Sequence, residues 1–539
     1  MARRRIALLL LVAGLGGCGA ERDPAPRPAP PPEPRIAENH GELKAATWRA
    51  AAAAEAARLA RLQAEIRRAK ASRTVHGALR YALLTGRMGR AEHARRARDY
   101  ADARAAAKRL EGTRAAELGS VLGTVDDLAA QRRLTPSRLR PALLILRRNT
   151  QFWTHAAMPA AGHRTVFGRH PAVFQYYPGR GMQLQPLASW GKVNWLARSC
   201  LEDRARARRR TRCPVRDLRR GVDGLLGLAA RRGDFLAWEH YFSWGGGSPP
   251  WISGMTQATA VSALARAARA LDEPRWRRAA HRALGAFTAP PPLGVDGGDH
   301  YLMYSFSPGL RIFNGELQAV SGIGELAALW PDRLARRLFR RGERGARSMI
   351  LAADTGAWSL YSFAGREATL SYHRLIEDFL GDMCRRTDRR TYCDAHARFA
   401  RYEREPTRIG IEPLSRLRAG HATAVRFSIS KVSAVKVRVH GEKGLTLSQD
   451  LTLPYGQHAV GWTPPSRGRF RLRIEAQGPS GPVGVKTQSV RVVLPKPKPK
   501  KPACKRQKAK CEARGGCRAK AHEDECELTR RPERGSVER

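Results

Sequence analysis

The sequence predicts a mainly α protein: an N-terminal helical region, an (α/α) toroid, and a C-terminal β-sandwich of the immunoglobulin-like kind. Three observations predict it. Residues 39–134 are rich in alanine and arginine, with no turn-dense stretch. Residues 135–404 carry apolar stripes at helical spacing that come in pairs. Residues 405–495 switch to a period of two.

The chain opens "MARRRIALLLLVAGLGGCGA". Three arginines precede an apolar run too short to span a bilayer, as in a signal peptide. Leu15-Gly16-Gly17-Cys18 resembles a bacterial lipobox, so residues 1–18 read as a lipoprotein signal, Cys18 as the lipidated residue and the protein as exported and tethered to the cell membrane. Residues 19–38 contain "DPAPRPAPPPEPR", which favours an extended, semi-rigid spacer. The 39–134 region reads as helices with charged faces and offers no chemistry.

In the 135–404 region, Val261, Leu264, Ala265, Ala268 and Leu271 share one helical face. "LDEP" then breaks the helix, and Trp276, Ala279, Ala280, Ala283, Leu284 and Phe287 form a second stripe. The pattern recurs at Tyr372–Met383 and Tyr392–Tyr402. Such hairpins bury their faces only by stacking on neighbours, and a ring of them has a concave end where loops meet. In the 405–495 region Val425, Phe427 and Ile429 alternate with polar residues, as do Val435, Val437 and Val439, and Phe470, Leu472 and Ile474. A module of this kind in an exported protein serves as a spacer or touches glycan. The 496–539 tail is basic, proline-spaced and poor in apolar residues, and reads as a grip for an anionic polymer or a solvated end.

The formal net charge is +50. A surface this basic attracts anionic polymers, and export argues against nucleic acid, leaving acidic polysaccharide, wall polymer or anionic membrane as partners. Nine cysteines less Cys18 leave eight, an even number suited to disulfides in an oxidising compartment. Cys200–Cys213 and Cys384–Cys393 read as local staples, and four more lie in the tail. No spacing matches a metal site.

Four stretches place aromatic residues, and in three of them arginines, directly before helices. "PPWISGMTQ" sets Trp251 in a stiff loop, with Gly254 allowing close backbone approach. "FQYYPGRGMQLQPLASW" brings Tyr177, Arg180 and Gln183 around a turn. "DHYLMYSFSPGLRIFNGELQAVSGIGEL" contributes Tyr301, Tyr304, Arg311 and Asn314. "WSLYSFAGREATLSYHRLIEDFL" contributes Tyr361, Arg366, Tyr372 and His373. Together they point to a groove for a carbohydrate that bears carboxylates.

The order and wording of these stretches resemble the C-terminal domain of D-glucuronyl C5-epimerases, which invert C5 of a uronic acid in heparan-type glycans. The resemblance runs from Phe174 to Tyr402 through "YYPGRGMQ", "PPWISGMTQATAVSALARA", "YSFSP…IFNGELQAVSGIGEL" and "YHRLIEDFLGDM…RRTYCDAHARFARYE". It implies an (α/α) barrel with a cleft at one end, no cofactor or metal, a possible homodimer, and catalytic tyrosines at Tyr304, Tyr361 and Tyr372. It implies substrate contacts from Tyr177, Arg180, Gln183, Trp251, Tyr301, Arg311, Asn314, Arg366 and His373. One departure is plain: the family's acidic "YEEY"-like stretch reads "YLMY" here, with Leu302 and Met303 in place of two carboxylates. That departure keeps a non-catalytic glycan-binding scaffold in view. A lyase needs only the first half of the epimerase chemistry. A hydrolase needs opposed carboxylic acids, and Asp299, Glu316, Glu367 and Glu377 show no motif that pairs them.

Overall fold

The computed structural model describes residues 36–205, 213–363 and 365–494. The 1–18 signal with Cys18, residues 19–35 of the spacer, and the 496–539 tail with its four cysteines lie outside the described residues. The chain divides into two units, residues 1–69 and 70–539. The described part of the first is most of α1 (Ile36–Ala71), an alanine-rich helix exposed from Thr47 to Gln63.

The second unit begins with α2 (Val75–Leu84), α3 (Arg90–Arg109), α4 (Gly112–Ala130) and α5 (Pro136–His155). A small antiparallel sheet follows, of β1 (Arg164–Val166), β2 (Val173–Tyr177) and β3 (Gly181–Leu184). Then come α6 (Pro186–Ala205), α7 (Val215–Leu226) and a hairpin of β4 (Ala230–Arg232) and β5 (Phe235–Ala237). The remaining helices are α8 (Gly254–Leu271), α9 (Pro274–Ala283), α10 (Phe313–Leu329), α11 (Arg333–Ala353), α12 (Leu370–Thr387) and α13 (Arg390–Arg404).

These helices stack with a clear order. The even members α6, α8, α10 and α12 each lie against the next, and each also packs on the helix that follows it in sequence. The row α6–α8–α10–α12 is therefore an inner layer, backed by α7, α9, α11 and α13. The apolar stripe on α8 accordingly understates its burial: Gly254 to Leu264 is buried on every face, because α6, α9 and α10 all press on it. The two short sheets inside this region escape helical periodicity, since strands of three to five residues carry almost no pattern. Both expected staples form, Cys200–Cys213 leading from α6 towards α7 and Cys384–Cys393 joining α12 to α13.

The C-terminal module contains β6 (Ile409–Ile411), β7 (Leu417–Arg418), β8 (Thr423–Ile429), β9 (Ser433–Gly441), β10 (Gly444–Leu453), β11 (Gly456–Trp462), β12 (Gly468–Gln477) and β13 (Val483–Val493). They make a five-stranded sheet in the order β10-β9-β12-β13-β7 and a three-stranded sheet in the order β11-β8-β6. The alternating residues anticipated from sequence, from Val425 through Ile474, are the buried layer, joined by Trp462, Val490 and Val492.

Candidate active site

The inner helices α6, α8, α10 and α12 are each entered from one of the aromatic stretches. Neither α8 nor α10 has a side-chain cap at its start; the first N–H of each donates to a loop carbonyl, Gly254 to Leu302 and Phe313 to Tyr361, and the positive end of each helix dipole lies beside these loops.

Tyr372 lies in the first turn of α12, where Thr369 caps the helix by accepting from the Tyr372 N–H at 3.5 Å. Its side chain is 39% exposed, enough to meet a ligand. Tyr361 comes from a hairpin in which Leu360 bridges Glu367 and the Tyr361 N–H donates to the Arg366 carbonyl at 2.6 Å. The Tyr361 carbonyl accepts from the Phe313 N–H, tying this hairpin to the start of α10. The Tyr361 and Tyr372 rings are 4.8 Å apart. Tyr304 completes the group. It stacks on Phe306 at 5.3 Å and meets the edge of Trp251 at 5.4 Å.

Burial pushes the Tyr361 phenol well up, and the charge a Tyr372 or Tyr304 phenolate would carry raises it further; Arg366 opposes this weakly. Burial also raises Tyr304, with the Trp244 side chain working the other way and Tyr372 adding to the rise. Tyr177 is likewise raised by burial, although Gln185 Nε2 donates to its Oη at 3.0 Å and lowers it. A cluster of phenols that feel one another's charge, beside the starts of two helices, can hold and pass protons.

Residues 232–401 match the D-glucuronyl C5-epimerase C-terminus family. No curated protein matches the chain. The epimerase-family segment contains all three tyrosines, Trp251, Tyr301, Arg311, Asn314, Arg366 and His373. Tyr177, Arg180 and Gln183 precede it.

Several residues expected to touch substrate do not. His373 is fully buried, stacked between Trp358 at 3.7 Å and Phe399 at 5.3 Å, and both ring nitrogens are engaged, with Ser359 Oγ and the Phe399 carbonyl. Tyr301 is buried against Phe287 and donates its hydroxyl to the Leu338 carbonyl. Trp251 is 4% exposed, stacks on His240 and donates its indole N–H to the Phe242 carbonyl. It supports Tyr304 from beneath and presents no face to a sugar. Gln183 is buried and donates to the Arg180 carbonyl.

Of the rest, Arg180 is tied to the Ser243 carbonyl through Nε. Arg311 lies over the Phe363 ring at 5.5 Å, and its buried Nε has no partner among the described residues. Asn314 is buried with Oδ1 equally unengaged. Arg366 is exposed.

The segment also holds features that sequence reasoning missed. Trp244, 38% exposed, sits 5.7 Å from Tyr177. Trp244 and Gly247 exchange two backbone hydrogen bonds in a tight turn, and a Cβ at Gly247 would collide with the Phe306 ring. The signal was "WGGGSPP", a tryptophan on a turn that only glycine can close. Glu316 is the second. Its buried carboxyl accepts from the Tyr301 N–H at 2.7 Å and is pushed up to about 8 by burial. The stiff Pro249–Pro250 stretch is fastened by Arg232, which donates to the carbonyls of Pro250, Pro292 and Leu293 and pairs with Glu239.

The hairpin carrying Tyr361 is also held from the β module. Glu367 accepts from the Val432 N–H at 2.7 Å and the Tyr455 N–H at 2.8 Å. Beside it, the buried Lys431 ammonium donates to the Tyr402 and Glu405 carbonyls and lies 5.3 Å from the Trp358 ring centre.

Proposed function

We propose that this protein is an exported, lipid-anchored uronosyl C5-epimerase acting on an acidic polysaccharide, with its arc of helical hairpins forming an (α/α) toroid and its C-terminal sheets an immunoglobulin-like sandwich. The observation that carries the reading is the convergence of Tyr304, Tyr361 and Tyr372, from three separate stretches, within a segment matching the epimerase family.

Inversion at C5 breaks the C5–H bond on one face of the ring and forms a new one on the other. It therefore needs a base and an acid on opposite faces. Tyr361 and Tyr372 are too close for a sugar ring to lie between them, so they serve one face and Tyr304 the other. Within the pair Tyr361 is held neutral by burial and by the charge a Tyr372 phenolate would carry, which leaves the more exposed Tyr372 as the base. Tyr304, kept protonated by burial, gives its proton to the opposite face of C5. The turnover leaves Tyr372 as phenol and Tyr304 as phenolate, and exchange with water restores both. Arg311 and Arg366, with the positive end of the α10 dipole, offset the charge that builds on the uronate carboxylate in the transition state. Trp244 takes the sugar-stacking role expected of Trp251.

The test is incubation of the mature protein in heavy water with a panel of polyuronides. Deuterium at C5 with inversion is the expected result. An unsaturated chain end would replace this reading with a lyase, and tight binding without exchange would replace it with a glycan-binding scaffold.

A further inference from the structure

We infer that the solvent-facing side of the five-stranded sheet is a second binding surface for an acidic polysaccharide, apart from the tyrosine cluster. Strands β9, β12 and β13 lie side by side, and their exposed residues form rows across the sheet. Arg469 stands directly opposite Arg491, Arg471 opposite His440, and Arg473 opposite Arg438. Each of these residues alternates with a buried one, so all share the outer face.

Like charges placed directly opposite across strands destabilise a sheet. Arg438 is compensated by Asp450 at 2.5 Å, and Arg473 by Glu475 at 2.6 Å. Arg469, Arg471 and Arg491 pair with no carboxylate among the described residues. The acids gather at one end of the face, where Glu475 stands opposite Lys436 and Asp450 also faces it. The other end is mostly cationic. There the face runs into an open groove of roughly 410 Å³ lined by Lys443, Arg467 and Arg469, with Glu442 as its one carboxylate. Neighbouring strands are about 4.8 Å apart and alternate residues about 6.8 Å apart, which makes these cations a grid for closely spaced anions.

The charge fits a polymer of carboxylated or sulfated sugars. No Phe, Tyr or Trp lies among the exposed cationic rows, and the Phe470 that lines the groove is buried, so bases have no open ring to stack on as they do in single-strand binders. The choice of sugar polymer rests on the epimerase reading: a chain long enough to be processed along its length would meet this face too.

The experiment uses the full chain with Arg469, Arg471 and Arg491 each changed to Thr, which keeps strand propensity. Binding of a fluorescent glucuronate polymer is measured against salt concentration. The expected result is affinity about tenfold lower at low ionic strength, given the strength of exposed ion pairs, and a shallower salt dependence. Exchange on a short uronate oligosaccharide stays unchanged. The single variant Arg471→Thr should give a smaller loss of the same kind, and Lys436→Thr at the acidic end almost none. Unchanged polymer affinity would overturn the proposal. So would tighter wild-type binding to phosphatidylglycerol vesicles or duplex DNA than to the polymer. If no polyuronide exchanges deuterium and the triple variant still loses polymer binding, the face stands and the epimerase reading falls.

Discussion

The Tyr361 and Tyr372 rings lie close enough that a charge on Tyr372 is felt in the acidity of Tyr361. Tyr361→Phe removes one of the three polar groups of the cluster. We expect its exchange rate to fall about tenfold at neutral pH. Tyr372→Phe should abolish exchange at every pH, and a rate profile against pH separates the two. Glu316 offers a test by stability alone. Its carboxyl stays protonated in the folded chain up to about pH 8 but ionises near 4.5 when unfolded, so stability is full below 4.5 and falls as pH rises between the two values. Glu316→Gln keeps an acceptor for the Tyr301 N–H and removes this loss. Thermal unfolding should show it stabilised by roughly 2–3 kcal/mol at pH 7 and indistinguishable from wild type at pH 4. The tyrosines were legible in sequence because each stands in a stretch with a recognisable order. The fates of His373 and Tyr301 were not. Each is decided by partners from another part of the chain, Phe399 on α13 and Leu338 on α11.

At the scale of elements, the hairpin between α11 and α12 is fixed from both sides. Its Tyr361 carbonyl holds the start of α10, and its Glu367 carboxylate takes two N–H groups from the β module. Glu367→Gln leaves one of those donors without its acceptor, at a cost of about 1–2 kcal/mol. We expect exchange to fall several-fold through kcat, with KM little changed, and the loss to persist well below the melting temperature. Lys431→Met leaves the Tyr402 and Glu405 carbonyls unsatisfied and should behave in the same way. The helix pairs of this region were readable from their stripes and breakers. That α8 is enclosed on all sides was not, because its alanines read equally well as one face of a surface helix. The exposed Trp244 was equally hard to see. Trp251, seven residues on, has the same chemistry, and only the backbone path shows which of the two meets solvent.

For the whole molecule, the alternation in residues 405–495 marks β8, β9 and β12, three of the eight described strands of the β module, and nothing in that alternation says what the module grips. Its connection to the tyrosine hairpin runs through two backbone N–H groups and one lysine, none of which has a sequence signature. A chain ending at Arg404 would keep all three tyrosines. It would lose the partners of Glu367 and the ammonium beside Trp358. We expect such a chain to exchange C5 protons far more slowly than the full protein while keeping most of its helical circular dichroism signal.

The segment matching the epimerase family stops at residue 401, while the residues that steady Tyr361 lie at 431, 432 and 455. Inherited likeness and mechanical self-sufficiency thus end at different places along this chain. Anyone grafting the tyrosine-bearing segment onto another scaffold would have to carry these later loops with it, or supply a substitute brace.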